Sequence, residues 1–237
     1  WSWPVQTVIT FDQQSLNGKP VVSQNNQSNN RRKSWNGSIS VDYSIDTNNI
    51  IVSNFNLNQL AVHTNNILAN VYNGGAAIRG SSIDKQRTGS FDWSADYIRK
   101  FTRKGQELTF STQVLKNKNN TDYTSEYGDR GLRPNEKGYN QGINDEATFQ
   151  LDYTHPVNKI IIETGAKTIF RDILSVVTAD TVKDKGYVNV KERSYDFNYK
   201  QHVGAAYATV AAPFGKKVSF KGGLRYEYTL LKGNNAG

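Results

Sequence analysis

The feature of this sequence that most constrains its fold is a strict alternation of apolar and polar residues, repeated in segment after segment. In residues 38–45, for example, Ile39, Val41, Tyr43 and Ile45 alternate with serine and aspartate. Because successive side chains of a β-strand point to opposite faces, a period of two predicts a strand with one apolar and one polar face. The 3.6-residue period of an amphipathic helix is found in no segment. The sequence therefore predicts an all-β fold.

Nine segments carry this pattern and are predicted to be strands. They are residues 3–11, 38–45, 51–58, 90–101, 108–114, 149–153, 160–171, 198–212 and 218–230. In the segment 198–212 small residues blur the two faces. Most runs are longer than the roughly five or six residues of a typical globular strand, and they suit the roughly 9–11 tilted residues that cross a membrane.

The links between the predicted strands are alternately short and long. Turn-forming residues make short links near 46–49, 102–105, 155–158 and 213–216, and long polar links occupy 13–34, 63–88, 117–144 and 173–196. In an antiparallel sheet this order places all short turns at one end and all long links at the other. Bacterial outer-membrane barrels have this asymmetry, with tight periplasmic turns and longer external loops. The pattern predicts an antiparallel up-and-down transmembrane β-barrel with four long external loops.

Residues 1–237 are expected to form only part of such a barrel. Nine is an odd number of strands, whereas single-chain bacterial barrels have even numbers. An open sheet edge in lipid would also leave backbone groups unpaired, at several kcal/mol for each group. We therefore expect further strands, in the same polypeptide or beside it.

The two faces of the predicted sheet need different surroundings. The apolar face needs either lipid or a second layer, and aromatic residues near its ends suit the membrane interface. The opposite face carries many charged residues, as expected for a water-filled or plugged lumen. Its candidate lumen-facing residues are Asp96, Lys100, Asp152, Glu163, Lys167, Lys221, Arg225 and Glu227. Carboxylates among them could act as acid and base, but salt bridges with the neighbouring cations are the favoured interpretation.

Several function classes are excluded or disfavoured by composition. With a mean hydropathy of −0.66 and no continuous run of about 20 apolar residues, a transmembrane helix is excluded. The absence of cysteine excludes a thiolate zinc site and a cysteine nucleophile. The three histidines lie far apart without metal-ligand spacing, and no GxSxG motif is present. We expect no catalytic residue, no cofactor and no metal, and therefore no enzyme.

The net charge of +8 does not by itself indicate a nucleic-acid partner. Most cations are scattered among acidic residues instead of forming one basic stripe. Solvated turns or contact with anionic lipid explain this distribution better, and no nucleic-acid binding is expected.

Three segments carry a resemblance to a known family: TRKGQELTF (102–110), DYTHPVNKIIIETGAK (152–167) and AAYATVAAPFGKKVSFKGGLRYEYT (205–229). Over about residues 35–231 the chain resembles the barrel region of TonB-dependent-receptor-like proteins of Bacteroidetes, the outer membrane β-barrel family. The resemblance implies a large barrel, commonly of about 22 strands, preceded by a carboxypeptidase-like domain and a plug. It also implies a location in the bacterial outer membrane.

The function implied by this resemblance is substrate uptake across the outer membrane. The implied partners are outer-membrane lipid and lipopolysaccharide, and the TonB system acting through a plug. A second hypothesis is a non-transporting barrel that serves as a scaffold in a surface lipoprotein or secretion assembly, with a surface lipoprotein as partner. A third is a secreted soluble β-sandwich adhesin, which would be recovered without detergent.

Overall fold

The computed structural model describes residues 2–14, 20–72, 77–128, 134–183, 186–214 and 217–236. They form ten strands: β1 (Ser2–Gln14), β2 (Pro20–Ser44), β3 (Asn49–Tyr72), β4 (Ala77–Lys100), β5 (Glu107–Tyr127), β6 (Glu136–Val157), β7 (Ile160–Lys183), β8 (Gly186–Asn189), β9 (Tyr195–Phe214) and β10 (Val218–Ala236). A short 3₁₀ helix, Lys191–Arg193, lies between β8 and β9. Within these described ranges, no helix is long and apolar enough to span a membrane.

All ten strands belong to one antiparallel sheet. Nine of them lie side by side in chain order, and the short β8 pairs with β7 outside this path. This arrangement confirms the predicted all-β, up-and-down fold, and the nine predicted strands correspond to the nine on the main path. β8 was not predicted. Across the described residues the sheet does not close on itself, because β1 and β10 are not paired with each other.

Tight turns join the strands at one end of the sheet, as predicted. Residues 45–48 link β2 to β3, residues 101–106 link β4 to β5, and residues 158–159 link β6 to β7. The fourth predicted turn, 213–216, lies partly outside the described residues.

Local hydrogen bonds and backbone conformation explain why these turns form. The Asp46 carboxylate accepts the backbone N–H groups of Asn48 and Asn49 at 2.7 and 2.8 Å, and these bonds lower the pKa of Asp46 below its ordinary value, the one from Asn48 most strongly. Gly105 has φ of +79° and Asn158 has φ of +57°. Glycine and asparagine are the residues that adopt this left-handed conformation most readily.

Most of the described residues in the four segments predicted to be long external loops form strands instead of loops. The strands β2 to β7 are 21 to 25 residues long, and they continue through most of 13–34, 63–88, 117–144 and 173–196. Parts of these segments, 15–19, 73–76, 129–133 and 184–185, lie outside the described residues. Beyond the apolar region both faces of a strand meet water, so no alternation marks the strand in the sequence.

The register of the sheet sorts the side chains into two chemically distinct faces. One cross-strand row consists of Tyr43, Ile51, Tyr97, Phe110, Leu151, Ala166, Ala206 and Tyr226, and we call its side of the sheet the apolar face. The adjacent row consists of Asp42, Val52, Asp96, Ser111, Gln150, Lys167, Ala205 and Glu227, and its side is the polar face. The predicted alternation is thus continuous across eight strands.

The apolar face has no second protein layer over it in the described part of the chain. Leu224 is 85% exposed and Tyr226 is 72% exposed, and many other large apolar side chains of this face are also exposed. The buried residues Thr148, Val203 and Ala205 lie on the polar face instead. An exposed apolar surface that extends across neighbouring strands indicates an apolar partner outside the sheet.

The apolar residues form a band whose height suits a membrane. On the apolar face of β7 the band runs from Ile160 to Phe170 and ends at Asp172. Ten residue steps correspond to roughly 33 Å along the strand, or about 25 Å of height at a tilt of about 40°. Relative to the cross-strand rows the band shifts from β10 to β2. Its last residue on β10, Leu230, shares a row with Ile39 of β2, where the band continues four residues farther, to Trp35. A tilt of the strands relative to the band produces such a shift.

The first strand departs from the predicted pattern. β1 pairs with β2 between Pro20 and Lys33, beyond the apolar band. There Val5, Ile9 and Phe11 lie opposite asparagine and glutamine residues of the polar face. The apolar positions of segment 3–11 therefore do not extend the apolar band.

Candidate functional site

The polar face brings together the charged residues that the sequence singled out. All eight candidates lie on this face: Asp96, Lys100, Asp152, Glu163, Lys167, Lys221, Arg225 and Glu227. Six of them cluster on β6, β7 and β10. The other two, Asp96 and Lys100, lie on β4, separated from β6 by β5. One site is therefore built from β6, β7, β9 and β10.

An open depression of about 700 Å³ lies on the polar face between β6 and β10. Its polar lining includes Gln150, Lys167, Arg171, Gln201, Tyr207 and Arg225. Amide, hydroxyl and cationic groups predominate here, so the depression can donate hydrogen bonds to a polar or anionic ligand.

A hydrogen-bonded group centred on Tyr207 forms one side of the depression. The Tyr207 hydroxyl on β9 donates to the Asp152 carboxylate on β6, and the Gln150 Nε2 donates to the other carboxylate oxygen at 2.7 Å. The tyrosine reaches across β7 because the residue between the two partners is Gly165. A Cβ atom at Gly165 would overlap the tyrosine ring. Glycine at this position therefore makes the contact possible.

A second group, nearer the turns, joins β7, β9 and β10. The Thr209 hydroxyl donates to Glu163 Oε2 at 2.8 Å, and Lys221 Nζ lies 2.9 Å from the same oxygen. The carboxylate of Glu163 is thus bound by both neighbouring strands. A hydrogen bond and a charge-assisted contact converge on one oxygen of this carboxylate.

The charged residues at the far side of the depression are also mostly paired. Arg171 binds the Glu146 carboxylate, with NH2 at 2.6 Å, and donates to Gln201 Oε1 at 2.8 Å. Arg225 pairs with Glu227 at 2.8 Å. The expected salt-bridged arrangement is confirmed for Glu163 and Glu227.

Lys167 differs from these residues. Its side chain has no ion-pair partner in the described part of the chain, although the sequence favoured one. It lines the depression together with Arg171 and Arg225. Its ammonium group is therefore available to a ligand.

Four polar residues of this site were not predicted: Glu146, Gln201, Tyr207 and Thr209. Three of them lie on β9, where small residues obscured the alternation. Glu146 lies opposite Arg171 in the β6–β7 hairpin, at equal distance from its turn. Counting outward from that turn would have paired the two residues.

Aromatic residues mark the turn end of the apolar band, as the sequence suggested. Phe101 packs edge-on against Tyr153, with ring centroids 6.1 Å apart. The Tyr153 hydroxyl accepts a hydrogen bond from Gln106 at 2.6 Å, and the Tyr97 hydroxyl donates to Asn49 at 2.7 Å. Rings with one apolar and one hydrogen-bonding end suit the boundary between hydrocarbon and water.

Comparison with known proteins provides a family match. The model of a family described as the outer membrane protein beta-barrel family matches residues 99–237. No curated protein matches the sequence significantly.

Comparison with solved structures gives matches at low identity and low TM-score, of which three are described. For the β domain of the Bordetella autotransporter BrkA, identity is 11% and the TM-score is 0.27, covering 98% of this chain and 97% of that one. For the ferric yersiniabactin uptake receptor FyuA of Yersinia pestis, identity is 8% and the TM-score is 0.30, and the match covers 94% of this chain and 48% of that one. For the copper transporter OprC, identity is 10% and the TM-score is 0.26, and the match covers 98% of this chain and 57% of that one. This chain spans about half the length of the last two proteins.

Proposed function

Because this chain belongs to the outer membrane protein beta-barrel family, we propose that it forms part of the wall of a TonB-dependent-receptor-like barrel that takes up a substrate across the bacterial outer membrane. The apolar face contacts lipid in this proposal, and the polar face lines the lumen. The substrate passes along the polar face when the barrel is energised through a plug.

The observation that carries the proposal is the division of charged and large apolar residues between the two faces. On β5 the apolar face carries Leu108, Phe110 and Val114, with Thr112 as its one polar residue within the band, and the polar face carries Thr109, Ser111 and Gln113. All eight charged candidates lie on one side. A lumen needs this arrangement, whereas a barrel filled only by structural side chains does not need an unpaired cation such as Lys167.

The resemblance of segments 152–167 and 205–229 to the Bacteroidetes receptors supports the same proposal. These segments form the turn halves of β6, β7, β9 and β10, which carry most of the site. Lys167, with Arg171 and Arg225 beside it, would contact anionic or hydroxyl-rich parts of a substrate. We propose no catalytic role for the site, since Glu163 and Glu227 are engaged by cations.

Uptake is tested in cells that carry or lack the full-length protein. Both are given a defined mixture of oligosaccharides, peptides and iron chelates, and the loss of each compound from the medium is measured with and without a protonophore. We expect at least one compound to be depleted only by energised cells that carry the protein. Equal depletion of every compound by both cells contradicts the proposal.

Access of water to the polar face is tested with cysteine labelling in a cysteine-free background. Ser111→Cys and Phe110→Cys place thiols on adjacent residues of β5 that face opposite sides. A membrane-impermeant maleimide is expected to label the first variant in intact cells and to leave the second unlabelled. Equal labelling of both, or labelling of Phe110→Cys alone, contradicts a polar lumen.

The second candidate function is a non-transporting scaffold. The observation that favours it is the length of the strands beyond the apolar band, where β2 to β7 offer a broad polar surface outside the membrane. Purification of the full-length protein with a stoichiometric surface lipoprotein, combined with no depletion in the uptake experiment, would select this function over transport.

A further inference from the structure

Cations are concentrated at the outer border of the apolar band on β2, β4 and β5. Beyond the last apolar residue of the band, the first charged residues of the apolar face are Lys116 and then Lys118 on β5, Arg87 on β4 and Lys33 on β2. The strands extend beyond the band at this end, and tight turns close the other end, so this border faces the outer leaflet.

The register brings three of these cations together. Lys33, Ala61, Arg87 and Asn120 form one cross-strand row, and Lys118 is two residues from Asn120 on the same face. Two strand spacings separate the Cα atoms of Lys33 and Arg87 by about 10 Å. All three cationic side chains line one shallow cavity of about 370 Å³. They can therefore contact a single ligand.

These cations lack acidic partners in the part of the chain that the structure describes. No ion pair involves Lys33, Arg87 or Lys118. On β2 to β5 the first acidic residue of the apolar face lies one row farther out, at Asp122. Elsewhere the same face does pair its lysines, as in Lys200 with Asp172 at 3.2 Å. Among the described residues of β10 the border carries a single unpaired cation, Lys232, whereas β2, β4 and β5 bring several together.

An apolar groove lies directly on the membrane side of the cations. Trp35 is 56% exposed and its ring lies against Gly37, 3.2 Å from where a Cβ atom would be. Leu57 is 43% exposed. Gly89 has no side chain, so the apolar face is open between its cross-strand neighbours Gln59 and Lys118. Trp35, Leu57 and Gly89 line one shallow depression that continues into the cationic cavity.

We propose that this surface binds a phosphorylated glycolipid of the outer leaflet. Lys33, Arg87 and Lys118 contact the phosphates, and an acyl chain lies in the groove of Trp35 and Leu57. Basic residues at a membrane surface attract anionic headgroups, and the separation of the cations suits a headgroup with more than one phosphate. A soluble phosphate would use the cations but leave the groove empty. The proposal requires only the membrane location and is independent of substrate uptake.

The test measures binding of fluorescent bisphosphorylated lipid A to the full-length protein in detergent micelles. Arg87→Gln with Lys118→Gln is expected to weaken binding about 10- to 30-fold, since each surface cation contributes to anionic lipid attraction. The matched control is Lys137→Gln with Lys200→Gln, which removes the same charge from the same face at positions paired with Asp180 and Asp172. This control is expected to bind within about twofold of the wild type.

Three results would overturn the proposal. Equal weakening in the two double variants would mean that only net charge matters. Equal binding of dephosphorylated lipid A, or of phosphatidylglycerol, would remove the phosphorylated glycolipid as the ligand. Full competition by millimolar inorganic phosphate would assign the cations to a soluble anion. Heat-modifiable migration in gels verifies that each variant is a folded barrel, so a loss of binding is not confused with misfolding.

Discussion

The Tyr207 hydroxyl on β9 donates a hydrogen bond to the Asp152 carboxylate on β6, across a strand that lies between them. The intervening residue is Gly165, and the tyrosine ring occupies the space a side chain would fill. The contact ties three strands together at the candidate site. It depends on one missing side chain, so it can be tested by restoring a single methyl group.

Gly165→Ala is expected to destabilise the barrel by about 1–3 kcal/mol, because the new methyl group would overlap Tyr207 and force it from Asp152. Gly204→Ala is the matched control, since a Cβ atom there meets nothing within 4 Å. Urea unfolding of the full-length protein in detergent, followed by tryptophan fluorescence, measures both. A midpoint for Gly165→Ala equal to that of the control would contradict the proposed packing.

The two faces of β5 should respond oppositely to an introduced charge. Phe110→Arg places a cation on the apolar face and should cost about 2–4 kcal/mol, as expected for arginine against lipid. Ser111→Arg places the same side chain on the polar face beside Asp96 and Gln150 and should change stability by less than about 1 kcal/mol. Unfolding midpoints in lipid vesicles measure the difference. Similar costs for the two variants would mean that the faces are assigned incorrectly.

The turn at 45–48 should lose stability in acid. Hydrogen bonds, first that from the Asn48 N–H and then that from the Asn49 side chain, lower the pKa of Asp46. The stabilisation is therefore present above the ordinary carboxyl pKa of about 3.9 and is lost as the pH falls through the lowered folded-state pKa. Asp46→Ala should be less stable than the wild type at pH 7, with the difference narrowing near pH 3.

Two further variants separate charge from general turn effects. Asp46→Asn keeps an oxygen acceptor without a titratable group. The difference in stability between Asp46→Asn and Asp46→Ala should therefore stay the same in acid. Thr47→Ala, in the same turn, should retain the pH dependence of the wild type. Unfolding midpoints at pH 7 and pH 3 measure these differences in stability. A difference between wild type and Asp46→Ala that does not change with pH would exclude the ionised carboxylate as the source of the stabilisation.

The ion pair between Arg193 and Glu136 should hold the 3₁₀ helix against β6. Two nitrogen–oxygen contacts, 2.7 and 3.2 Å, form the pair, and Glu136 raises the pKa of Arg193. Both side chains are partly exposed, so Arg193→Ala should cost at most about 1 kcal/mol of stability. It should nevertheless speed proteolysis of residues 186–194 in intact cells.

Arg193→Lys should not restore protection, because an ammonium group cannot make the same two-point contact. Lys191→Ala removes a cation from the same helix and is the control for charge. Unchanged cleavage in Arg193→Ala, or full protection in Arg193→Lys, would show that the paired geometry does not hold this segment.

Much of the site follows from the sequence because strand alternation is a local property. The eight charged candidates were assigned to one face from period two alone, and the register places all eight there. Glu146 could also have been paired with Arg171 from its distance to the turn. By contrast, Tyr207 and Thr209 were missed, since small residues on both sides of β9 remove the contrast on which alternation depends.

The sequence alone is enough to predict which residues form strands within the apolar band, which side of most of these strands is polar, and where three tight turns lie. These properties follow from neighbouring residues and the pleat of a strand. How far the strands extend beyond the band is visible only in the folded sheet, because the sequence of a strand exposed to water on both faces does not alternate. The tertiary structure alone also decided that Tyr207 meets Asp152 and that Lys33 shares a cavity with Arg87 and Lys118. These contacts combine the registers of three or more strands, and the registers across the long connections are not set by a tight turn from which pairs could be counted.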